Sequence, residues 1–102
     1  MRINSTGEVL TVYLTGELDH HLAKGIREEI DKAIDYYMPS LLILDFGEIT
    51  FMDSSGIGLV MGRYKNLKKN GAKLSLINLN DNIYKIMKLA GMERLAEIEK
   101  GA

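Results

Sequence analysis

The stretch from Phe46 to Arg63, FGEITFMDSSGIGLVMGR, constrains the fold most, because it reads as the join between a buried strand and a helix. Just before it, Leu41, Leu42, Ile43 and Leu44 form a continuous apolar run bounded by Pro39 and Ser40. That is the pattern of a strand buried on both faces. Beyond the join, Ile57, Val60, Met61, Tyr64 and Leu67 recur at helical spacing, so the second element is a helix with an apolar stripe. Asp53, Ser54 and Ser55 all belong to the residue types that cap helix starts, since a short side-chain oxygen accepts from the unpaired N–H groups of the first turn. The helix is therefore expected to begin at or just after Asp53. Gly56 and Gly58 leave that turn without side-chain bulk, so a partner's backbone or a phosphate can approach its N–H groups. With nothing large beside it to bury the serines, Ser54 is expected to present a hydroxyl to solvent, as a modifiable site does.

The remaining segments supply a sheet and two more helices. Arg2 to Ser5 reads as a short strand, and Thr6-Gly7-Glu8 as a turn onto a second strand, Val9 to Leu14, giving a hairpin. Thr15-Gly16 is expected to interrupt it. Leu22, Ile26, Ile30, Ala33, Ile34 and Tyr37 form the stripe of a helix starting near Asp19 and stopped by Pro39. The Ser54 helix ends near Asn70-Gly71, and Lys73 to Leu79 follows as a strand. Asn80-Asp81 caps a third helix with Ile83, Ile86, Met87 and Ala90 on one face, closed by Gly91, and Leu95 to Ile98 reads as a last edge strand. Strand, helix and strand joined this tightly imply parallel right-handed crossovers. The expected fold is an α/β single domain over residues 1–102, with a mixed sheet, an N-terminal hairpin and three to four helices.

Composition narrows function mainly by exclusion. The 102 residues suffice for one core, and the formal net charge of -1, with basic residues spread along the chain, leaves no footprint for nucleic acid. Cysteine is absent, which removes disulfides and thiolate chemistry. No leader-like apolar stretch opens the chain and no run is long enough for a bilayer, so a cytoplasmic protein away from membranes is expected. Small size and an ordinary surface point to a monomer.

Candidate chemistries fail on missing partners. A serine hydrolase would need the G-x-S-x-G elbow, but Met52 and Asp53 precede Ser54, and nothing in the sequence brings His20 or His21 to the serines. Gly56, Gly58 and Gly62 nearly spell a dinucleotide fingerprint with the third glycine one residue late, so they are assigned to packing and no cofactor is expected. His20 and His21 are adjacent, about 100° apart on a helix, with no further ligand to complete a metal site. Met52, beside the serines, is retained as a partner contact.

Three motifs, GELDHH at Gly16 to His21, FMDSSGIG at Phe51 to Gly58 and GRYK at Gly62 to Lys65, resemble those of the bacterial anti-sigma factor antagonists, and together those of the sporulation branch acting in the sigma-F pathway. The element order is also similar to that family's STAS fold. The resemblance implies a switch without catalysis of its own. In that family the unmodified antagonist binds an anti-sigma factor that is also a serine kinase and so frees a sigma factor. The kinase uses ATP to phosphorylate the serine matching Ser54, and a serine phosphatase restores it. Met52, Asp53, Ser55, Gly56, Ile57 and Gly58 would belong to the binding surface with Ser54, and Asp19, His20 and His21 would lie on the same side. The family commonly carries a further helix after the last strand, so the sequence leaves open what covers the back of the sheet. Two rival roles use the same residues: an interaction scaffold whose serines only cap a helix, and a module sensing nucleotide at Gly56 to Gly58.

Overall fold

The computed structural model describes all 102 residues, and its elements follow the alternation of strand and helix signals closely. Strand β1 (Arg2–Thr6) turns through Gly7, at φ 61°, into β2 (Val9–Leu18). Helix α1 (His20–Tyr37) leads to β3 (Leu41–Met52), α2 (Ser54–Lys68) to β4 (Lys73–Leu79), and α3 (Asp81–Leu89) through a 3-10 turn (Met92–Arg94) to β5 (Glu97–Lys100). The five strands lie in the order β1-β2-β3-β4-β5, with β1 antiparallel to β2 and every later pair parallel.

That order decides where the core sits. Each crossover joins neighbouring strands, and crossovers of one hand between successive neighbours deliver every helix to the same face. Leu10, Val12, Leu14, Leu42, Leu44, Leu74 and Leu76 point to that face and are buried in a single cluster with Ile30, Ile34, Leu59, Leu67 and Met87 from the helices. The reading of Leu41 to Leu44 as buried on both faces is therefore corrected. Leu41 and Ile43 share rows with Val9 and Thr11 on the opposite face and are only half-buried.

Three further differences have local causes. Thr15-Gly16 does not end β2; Gly16 takes φ 78° within a strand whose pairing slips twice, first between Tyr13 and Thr15 and again between Gly16 and Glu17. Each slip accommodates an extra residue of β3, as a bulge does. The buried face of α2 is Gly56, Leu59, Val60, Arg63 and Leu67, while Met61 is exposed, because this helix packs against α1 as well as the sheet. The last strand begins at Glu97 and not Leu95, since Met92 to Arg94 first forms its own tight turn. No helix is long and apolar enough to cross a membrane.

Candidate functional site

Leu18 and Met52 pair at the ends of β2 and β3, so α1 and α2 start side by side at one end of the sheet. Two carboxylates finish those starts. Asp19 accepts from the Leu22 N–H at 3.0 Å, and Asp53 accepts from the Ser55 N–H at 2.8 Å. The Asp53 N–H donates to the Leu18 carbonyl at 3.4 Å, which ties the turn to the neighbouring strand.

The Asp53 carboxyl is held below its ordinary range, first by the Ser55 N–H. Desolvation opposes this, while the Ser55 hydroxyl, the His20 N–H and the His20 charge add to it. A carboxyl whose folded value is lowered contributes stability above its unfolded value of 3.8, and loses it as the pH falls through the folded one. In urea unfolding, the advantage of wild type over Asp53→Asn, which keeps a capping side chain, should hold at neutral pH and shrink below pH 3.8. An advantage that stays constant into the acid range would contradict this assignment.

Ser54, the first residue of α2, is exposed, whereas Ser55 is half-buried. His20 and His21 are exposed at the start of α1, and with Lys24, Arg27, Ser55 and Gly58 they line a cleft of about 430 Å³ between the two helices. The residues alone gave no sign that the histidines meet the serines; parallel pairing of β2 and β3 brings the two helix starts together. No hydrogen bond joins either imidazole to a serine hydroxyl. The pairing that activates a nucleophilic serine is not formed.

Met52 is not a surface contact. It is 8 % exposed and lies under α2, while its neighbour Phe51 is 52 % exposed and faces outward beside the serines. The two extra residues of β3 cancel in the alternation, so Met52 keeps the inward parity of Leu42, Leu44 and Phe46 and Phe51 the outward one. Gly56 is buried on top of Met52: a Cβ there would stand 2.4 Å from Met52 Cγ and 3.2 Å from Leu18 Cδ2. Gly56→Ala should lower stability by about 1–2 kcal/mol, overpacking outweighing the roughly 1 kcal/mol that alanine gains over glycine in a helix. Gly58→Ala meets nothing within 4 Å and should be neutral or stabilising. Equal effects of the two substitutions in thermal melts would contradict the packing role.

Arg63 of α2 was not singled out by its sequence position, yet it is 7 % exposed between the helices. Its Nε lies 2.8 Å from Asp31 Oδ1 of α1, which also accepts from Asn66 Nδ2 at 3.0 Å. Its Nη1 is buried without a hydrogen-bond partner. The guanidinium is held below its ordinary range by burial, with Asp31 opposing and the nearby Arg27 charge adding to the strain. Larger hollows lie elsewhere. One of about 690 Å³, bordered by Leu41, Lys73 and Glu97, sits at the opposite end of the parallel strands and mixes lysines with glutamates.

The STAS domain family model matches residues 1–101 of this chain. Two relatives are called anti-sigma F factor antagonists. The one from Paenibacillus polymyxa is 33% identical over 88% of this chain and 77% of its own length, and the one from Lysinibacillus sphaericus is 36% identical over 85% and 74%. An anti-sigma-B factor antagonist from Bacillus subtilis is 27% identical over 87% of this chain and 80% of its own. The solved structure of the anti-sigma factor antagonist SpoIIAA in its unphosphorylated form matches with a TM-score of 0.82 at 31% identity, covering 95% of this chain and 85% of the other. The phosphorylated form of SpoIIAA from Bacillus matches at 0.76 and 33%, covering 95% and 88%. The chain belongs to the STAS-domain family of anti-sigma factor antagonists. The fold alone does not carry a role, for a murine anion transporter contains it too, at 18% identity and a TM-score of 0.79 over 97% of this chain and 17% of the transporter.

Proposed function

We propose that this chain is an anti-anti-sigma factor, not an enzyme. Its unmodified form binds an anti-sigma factor that is also a serine kinase and so releases a sigma factor; phosphorylation of Ser54 ends that binding, and a serine phosphatase reverses it. The observation that carries the reading is the exposed Ser54 at the first position of α2, in a chain 33% and 36% identical to antagonists of an anti-sigma F factor. Ser55 suits the acceptor role less well, since it is half-buried and its N–H is held by the Asp53 carboxylate. The binding surface is the end of the sheet where α1 and α2 begin: Asp19, His20 and His21 from one, Asp53 to Gly58 from the other, with Phe51 added and Met52 supporting from below.

The higher identity to the sigma-F antagonists than to the sigma-B antagonist favours a sporulation sigma factor. The protein acts as a monomer in the cytoplasm. The test is release of a fluorescently labelled sigma factor from its complex with the kinase-type anti-sigma factor of the same genome. Unmodified protein should release it stoichiometrically, and no release from a complex that an established antagonist does dissociate would refute the role.

A further inference from the structure

The cleft beside the serines carries a charge that its own surroundings do not balance. Of the side chains lining it, Lys24 and Arg27 are cationic, His20 and His21 add imidazole N–H donors, and none is a carboxylate. Asp19 and Asp53, at its rim, turn their carboxylates to helix N–H groups. Neither Lys24 nor Arg27 makes an ion pair, and the molecule's two ion pairs are Arg63 with Asp31 and Lys100 with Asp81. Glu28 and Glu29 follow Arg27 on α1 but neither lines the cleft or pairs with Lys24 or Arg27, and Asp31, one turn beyond Arg27, is already taken by Arg63 and Asn66. Arg63 is more than nine-tenths buried, leaves Nη1 unpartnered, and stands close enough to Arg27 to feel its charge. Cationic groups thus crowd the α1–α2 seam of a chain whose net charge is only -1.

We propose that this cleft is the docking groove for an acidic segment of the protein partner, with Lys24 and Arg27 as its specificity-determining residues. The inference rests on the functional reading above and adds the chemistry of the partner's contact. A carboxylate-bearing segment laid between the helices pairs with Lys24 and Arg27 and accepts from His20 and His21. The arrangement also assigns a target to the switch. A phosphate on Ser54, next to the groove-lining Ser55, adds charge of the same sign as the incoming segment at the mouth of the groove.

Charge reversal tests this. By titration calorimetry against the kinase-type anti-sigma factor, Lys24→Glu and Arg27→Glu should each weaken binding about tenfold and the double variant about a hundredfold, with a shallower salt dependence. Lys85→Glu with Lys88→Glu on α3 should change affinity less than about threefold, and circular dichroism should show all variants folded. A second measurement needs no partner. A hexaglutamate peptide at millimolar concentration should shift the amide resonances of residues 20–27 and 55–58 in wild type and not in the double variant. Double-variant binding within about threefold of wild type would overturn the groove, and so would peptide shifts that are absent, lie elsewhere or persist in the variant. If wild type fails to bind a kinase of proven activity, the functional reading fails, and the peptide experiment still decides the groove.

Discussion

Protein phosphorylated on Ser54 is expected to bind its anti-sigma factor at least about thirtyfold more weakly than the unmodified form, while unfolding within about 1 kcal/mol of it. The two halves have different physical origins. Phosphorylation brings about -1.5 to -2 charges to the first position of α2, where the helix dipole and the open N–H groups of the first turn favour an anion. Repulsion from Asp53 offsets part of that gain, so stability changes little. At an interface the same charge must be desolvated beside Asp53 and against an acidic segment, and a loss of 2–5 kcal/mol is typical for buried charges left unpaired. Since 1.4 kcal/mol is tenfold, the affinity falls by well over an order of magnitude. Calorimetry gives the affinity and amide exchange the fold. A large change in exchange protection across β2, β3 and α2 would contradict local interference and indicate refolding.

The second large effect concerns the seam between α1 and α2. Asp31→Ala should cost about 2 kcal/mol, whereas Arg63→Met should be neutral within about 1 kcal/mol or stabilising. The asymmetry follows from exposure. The Arg63 side chain keeps 9% of its surface in water and the Asp31 side chain 38%. Removing the carboxylate strands a buried cation and also deprives Asn66 of its partner. The cost stays below the 3–5 kcal/mol of a fully buried pair because water reaches Asp31. Removing the guanidinium leaves a carboxylate that water can solvate, and methionine fills similar space without the desolvation cost that burial imposes on Arg63. The double variant should recover most of the Asp31→Ala loss. Equal losses from the two single variants in denaturant unfolding would contradict this account.

How far the residues announced these features depended on whether a local rule was enough. Caps at Asp19, Asp53 and Asn80 are set by neighbours three residues away or fewer, and each accepts the N–H its position predicts. The hairpin, the three helices and the parallel order were legible for the same reason, together with the handedness of crossovers. What stayed hidden is non-local. Exposure of Leu41 and Ile43 depends on all helices landing on one face, and the continuation of β2 through Gly16 on two bulges against β3. Arg63 reads as an ordinary surface arginine until α1 is packed against it. Lys24 and Arg27 were within reach of sequence reasoning: with His20 they stand three and four residues apart on one face of α1, and only the decision to follow the apolar stripe passed over them.

The most direct test of the switch is intact-mass and fragment spectrometry after incubation with ATP and the candidate anti-sigma kinase, comparing wild type with Ser54→Ala and Ser55→Ala. The account predicts a single added phosphate that survives Ser55→Ala and is lost with Ser54→Ala. No phosphate on wild type, from a kinase that modifies an established antagonist in the same reaction, would contradict it and leave an unregulated interaction scaffold.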